Sequence, residues 1–132
     1  MSEGVVGSVW EVLAERVGDD LRSVARYEAT DVTSRMRDDV ESLYSVPERQ
    51  ELIDSVILNQ MHLDVVDDAF KTGDLNALVQ VFDDAWVIAH PDSLQGKSGV
   101  LVSIDRPGSE TTMADIDWVC TYLADELDGL LE

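Results

Sequence analysis

Positive charge is what this sequence most lacks. Nine basic residues stand against 28 acidic ones, for a formal net charge of −19, and lysine occurs only at Lys71 and Lys97. So anionic a chain is a poor match for phosphate backbones, whose binding rests on Lys and Arg displacing counterions. Cysteine is nearly missing too. Cys120 stands alone, which excludes an internal disulfide framework and a cysteine metal cluster. No apolar run approaches the roughly 18 residues of a membrane-spanning helix. The first residues, MSEGVVGSVWEVLAERVG, carry acids where a secretory signal has a basic start. The expectation is a cytoplasmic protein with no membrane and no nucleic-acid partner.

What is present is foldable. The hydrophobic fraction is 45% over 132 residues, enough for one domain spanning 1–132 with an ordinary core. Acids are scattered through every segment instead of gathered in a tail. Scattered carboxylates around such a core point to a surface built for concentrated salt, where screening suppresses self-repulsion.

The most strand-like stretch runs from Leu75 to Asp105. Leu75–Phe82, Ala85–His90 and Gly99–Asp105 are three β-branched runs separated by Asp83-Asp84 and by the loop PDSLQGKS. They predict an antiparallel meander. Ahead of it, Val6, Trp10, Leu13 and Val17 recur at helical spacing and predict an amphipathic helix over 5–17, ended by Gly18. Asp38-Asp39 are read as capping acids, and Pro47 as a first-turn residue of a middle helix reaching about Asn59, with Leu52, Ile53, Val56, Ile57 and Gln60 on one face. Residues 62–70 are a short helix or a continuation. Thr112 and Asp115 resemble a capping box before a last helix striped by Ile116, Val119, Cys120, Leu123, Leu127 and Leu130.

Residues 21–37 read as a hairpin turning at Ala29 and Thr30. In that register Arg26 faces Thr33, Val24 faces Arg35 and Arg22 faces Arg37. Arg22, Arg26, Arg35 and Arg37 then project from one face, four of the chain's seven arginines. They are the candidate anion or partner contact, since guanidinium groups suit carboxylate and phosphate. The alternative, and the preferred reading, is pairing with the chain's own acids on the covering middle helix, such as Glu48, Glu51 and Asp54.

Other constellations carry less. His90, Asp92 and Ser93 are close in sequence, but neighbours at a strand end rarely form a triad, and no G-x-S-x-G elbow accompanies them. The Asp pairs at 19–20, 38–39, 67–68 and 83–84 lack calcium-loop spacing. GKSG at 96–99 lacks the earlier glycine and following helix of a phosphate loop. His62 reads as a surface residue, Trp10, Trp86 and Trp118 as packing residues, and Cys120 as a buried thiol. No catalytic residue, metal ligand or cofactor is assigned.

The elements give an α+β chain of order α-β-β-α-β-β-β-α. That order resembles the roadblock/LC7 (profilin-like) fold. The resemblance implies a five-stranded antiparallel sheet with the terminal helices on one face and the middle helix on the other. It further implies a non-enzymatic regulatory or scaffolding protein-interaction module, a homodimer or protein partner, and by fold analogy a small GTPase. Self-association is expected along an exposed sheet edge beside the middle helix. A PAS-like small-ligand sensor is the alternative. GDDLRSVARY at 18–27, RDDV at 37–40 and GDLNALVQVFDDAWVI at 73–88 are similar to small acidic proteins of halophilic archaea, a group with no established activity. The PDSLQGKSG loop and the YEATDV turn depart from that group's pattern.

Overall fold

The computed structural model describes residues 2–131. Helix α1 (Ser2–Val17) buries Val5, Val6, Val9, Leu13 and Val17, the one-sided stripe that drives an amphipathic helix onto a core. Gly18 ends it at φ 59°, a backbone that costs glycine nothing for want of a Cβ. A 3-10 turn (Gly18–Asp20) leads into β1 (Leu21–Glu28), which returns as β2 (Asp31–Met36). The middle of the chain holds α2 (Asp38–Glu41), α3 (Val46–Gln60) and α4 (Leu63–Ala69). Then come β3 (Leu78–Val81), β4 (Ala85–Pro91), β5 (Ser98–Asp105) and α5 (Met113–Leu131).

Capping differs from expectation in two places. Asp38 and Asp39 lie inside the first turn of α2, not at its cap: Arg37 is the N-cap residue and makes no side-chain cap bond. Ser45 caps α3 instead, accepting from the Glu48 N–H while the Glu48 carboxylate accepts from the Ser45 N–H, with Pro47 in the first turn as expected. At α5 the Asp115 carboxylate accepts from the Thr112 N–H, but the Thr112 hydroxyl also donates to it, so only half of the reciprocal box forms.

The five strands lie in the order β2-β1-β5-β4-β3, and every neighbouring pair is antiparallel. The meander is present, yet β3 starts at Leu78 and not Leu75. The Leu75 N–H donates to the Asp67 carboxylate at 2.6 Å, which ties this stretch to α4 before it can enter the ladder. The hairpin register matches the sequence reading: Val24 opposes Arg35, Arg26 opposes Thr33, and the Arg37 N–H donates to the Arg22 carbonyl. Ala29 takes the left-handed φ of 55° in its turn, which explains how a hairpin closes there without glycine.

Alternation sorts side chains between two layers. Val24, Trp86, Ile88, Val100, Val102 and Ile104 pack with α1 and α5 in the main core. Ala25, Tyr27 and Leu101 meet Ile53 of α3 on the other face, with Val56, Ile57, Val87 and Ala89 partly buried beside them. The terminal helices therefore lie on one face and the middle helix on the other. Among the described residues, sixteen are buried in the first core and four in the second, so α3 is the lightly held layer.

Polar contacts compensate on that thin side. The Tyr27 hydroxyl donates to Gln60 Oε1 at 2.6 Å. Gln60 Nε2 reaches the carbonyls of Ser93, Gly96 and Ser98 at 3.0–3.2 Å. Gln60 is 2% exposed, and these bonds satisfy an amide that would otherwise be costly to bury. Tyr27 lies directly over Gly99. A Cβ at Gly99 would fall 2.5 Å from the Tyr27 hydroxyl and 2.6 Å from the His90 carbonyl. Gly99→Ala is therefore expected to lower stability by roughly 1–3 kcal/mol, the usual range for overpacking, read from denaturant unfolding at fixed KCl; an unchanged midpoint would contradict the close approach.

Candidate functional site

The four candidate arginines divide by location. Arg26 lies on the α1/α5 side of β1 and is 5% exposed. It forms a two-pronged pair with Asp92, Nη1 to Oδ1 at 2.6 Å and Nη2 to Oδ2 at 2.7 Å, with Glu28 at 3.5 Å. Burial acts to lower its pKa, but the Asp92 hydrogen bonds and charge outweigh burial and raise it. At the opposite end of the sheet, Arg37 bonds Asp39 and Asp105, and Arg22 bonds Asp105. Arg35 is exposed and sits 4.6 Å above the Trp10 ring, a cation–π contact.

Internal pairing is thus observed, but with other partners than expected. The acids come from the β4–β5 loop, the end of β5 and the start of α2, not from Glu48, Glu51 or Asp54 of α3. The reason is topological. Arg26 and Arg35 share their face with Val24, which packs into the α1/α5 core, so the middle helix lies behind the sheet from them. That assignment needs the layer order, which the hairpin sequence does not carry. Stacking is the second feature the sequence hid: Arg16 lies over Trp118 at 5.0 Å and Arg106 over Trp86 at 6.0 Å.

The His90–Asp92–Ser93 grouping does not assemble as a triad. Asp92 is held by Arg26 and Ser98. Burial acts to push its carboxyl up, yet those hydrogen bonds and the Arg26 charge hold it below the ordinary carboxylate range. His90 Nδ1 is buried with no hydrogen-bond partner among the described residues. Burial lowers the His90 pKa, opposed by the charges of Asp92 and Asp128. Cys120 is half-buried, and burial raises its thiol pKa. Tyr27 is pushed up to about 12 by burial and then by the Asp92 charge. No group of three metal-ligating side chains occurs among the described residues.

Large apolar side chains lie exposed on the opposite side of the molecule. Leu58 and Met61 at the end of α3 are 60% and 52% exposed, Val65 of α4 is 67% exposed, and Phe70 just beyond it is 65% exposed. The adjoining edge strand β3 is paired on one side only, to β4, and Val81 and Phe82 at its end are exposed. Large exposed apolar side chains near a free strand edge are a feature of interaction sites. Sequence periodicity placed Leu52, Ile53, Val56, Ile57 and Gln60 on the inner face of α3; Leu58, Met61 and Val65 fall outside that stripe, and this excess was the available signal.

Two outcomes follow. Asp92→Asn leaves the Arg26 guanidinium buried and half-partnered, and is expected to cost about 2–4 kcal/mol, somewhat below the 3–5 of a fully buried broken pair because Asp92 is partly solvated; chemical denaturation in KCl measures it. The pH dependence has a fixed sign. Because the folded His90 pKa lies below its ordinary 6.5, the unfolded chain takes up the proton first, so stability is full above about pH 6.5 and falls as pH drops below it. His90→Gln should flatten that window in an unfolding series, and a slope that survives the substitution would assign it to another group.

Solved structures share this arrangement. The gliding protein mglB from Thermus thermophilus superposes with a TM-score of 0.69 at 11% identity, covering 98% of this chain and 89% of that one. A roadblock/LC7 domain from Streptomyces avermitilis superposes with a TM-score of 0.51 at 14% identity, covering 89% of this chain and 92% of that one. At such identities the likeness is one of fold. No curated protein sequence matches the chain. Residues 8–128 match the model of one family, described as a domain of unknown function. A roadblock-like α+β chain with internally paired arginines and an open apolar edge, it belongs to the DUF7522 family.

Proposed function

We propose that this protein is a non-enzymatic regulatory or scaffolding module that works by protein–protein contact in a high-salt cytoplasm. The observation that carries the reading is the exposed apolar surface of Leu58, Met61, Val65 and Phe70 beside the free edge of β3. A free edge strand can pair with its own copy about a twofold axis, which makes such an interface self-complementary. The first occupant proposed is therefore a second copy, joining the two sheets through β3 with α3 and α4 packed across the seam. A further protein partner, a small GTPase by the roadblock resemblance, would then meet the paired surface. Arg35, exposed on β2 at the other edge of the sheet, is the member of the arginine cluster left for a separate contact; Arg22, Arg26 and Arg37 serve internal pairs.

The ligand-sensor alternative gains no support from the cleft it would use. The cleft between sheet and middle helix, lined by Tyr27, Val56, Gln60, Leu63, Leu78 and Ala89, holds about 20 Å³, space for roughly one water. A small-molecule pocket occupies about 300 Å³ or more.

The high-salt assignment rests on −19 net charge spread over the whole chain. Light scattering in molar KCl, with circular dichroism on the same samples, tests both parts. The expected result is twice the chain mass of 14.6 kDa with a fold that loosens as salt is removed. Leu58→Glu with Val65→Glu should return the monomer without altering the spectrum, because both positions are exposed. A strictly monomeric wild type would overturn the dimer, and a fold indifferent to salt would overturn the high-salt assignment.

A further inference from the structure

The interface proposed above is built from apolar side chains set among carboxylates. Residues 46–84, which supply α3, α4, β3 and their connections, contain nine acids against two bases, Arg49 and Lys71. Glu51, Asp54, Asp68, Asp74 and Asp83 are all exposed. Arg49 is turned away from this set, its Nη2 donating to the carbonyls of Glu41 and Tyr44. Exposed charge of this segment is thus almost wholly of one sign.

Two copies meeting here bring like charges together while burying apolar surface. The two terms respond oppositely to salt. Repulsion between exposed charges is effective to about 10 Å at 0.1 M and only about 3 Å at 1 M. The apolar term persists across that range and is strengthened by strongly hydrated salts. At low ionic strength repulsion opposes the contact; at high ionic strength burial of Leu58, Met61, Val65 and Phe70 acts almost alone.

Resting on the self-association reading, we infer that assembly through this face is gated by ionic strength, with the carboxylates of α3 and α4 as the gate and a second copy as the occupant. The gate is distinct from any salt requirement of the fold, because these carboxylates are exposed and outside both buried cores. The residues that hold the monomer together, in the α1/α5 core and at Gln60, lie elsewhere.

Sedimentation equilibrium across a KCl series, limited to the range where circular dichroism reports the native fold, measures the effect. Self-association should tighten at least about tenfold between the lowest such salt and about 3 M, the span over which screening closes in. Neutralising the face with Glu51→Gln, Asp54→Asn and Asp68→Asn should produce the dimer at lower salt. Neutralising three exposed acids on the other side, Glu11→Gln, Glu15→Gln and Asp125→Asn, should shift the midpoint much less. Equal dimerisation at every salt would overturn the gate and leave the self-association reading standing. Equal shifts from both triple variants would overturn the assignment to this face. A monomer at every salt would overturn the self-association reading itself.

Discussion

The amide of Gln60 holds the middle layer in place. One side chain at the end of α3 takes the Tyr27 hydroxyl on its oxygen and offers its nitrogen to two carbonyls of the β4–β5 loop and one at the start of β5. Helix, central strand and loop are fixed relative to one another through a single buried group. The arrangement matters because α3 has little else: among the described residues, the apolar cluster on its side of the sheet has four buried members against sixteen on the other. Gly99 belongs to the same constraint, since Tyr27 can reach Gln60 only if nothing projects from β5 beneath it.

This unequal division decides which apolar side chains stay exposed. The terminal helices commit their apolar faces to the main core. The middle helices bury a narrow stripe and leave a second apolar surface outside, next to the free edge of β3. The buried apolar core and the exposed apolar side chains thereby lie on opposite faces of one sheet. Arg26, on the main-core side, locks β1 to the β4–β5 loop through Asp92, and Arg22 and Arg37 gather the ends of β1, β2 and β5 around Asp105. Pairing of this kind lets a chain with few bases use four of its seven arginines for cohesion, while exposed acids define the surface.

Local pattern settled much of the architecture. Period-two alternation placed the meander, period 3.6 placed α1, α3 and α5, and Gly18 marked the end of α1, because each depends on residues close in sequence. The hairpin register was legible for the same reason: a two-residue turn at Ala29 and Thr30 fixes every opposing pair up to Val24 and Arg35. The true start of β3 was not, since it hangs on a bond from the Leu75 N–H to Asp67 eight residues away.

What tertiary structure alone decided was which face each layer covers and which acid each arginine meets. Arg26 and Asp92 are 66 residues apart, and Arg37 and Asp105 are 68; no spacing rule joins them. They meet because β5 inserts between β1 and β4, a choice made by burial of Val100, Val102 and Ile104 and not by any local preference. Net charge and the helix and strand periods are sums or short-range patterns, so the sequence determined them unaided. Pairing of distant charges and the exposure of Leu58, Met61 and Val65 depend on what packs above each face, and only the folded sheet supplies that.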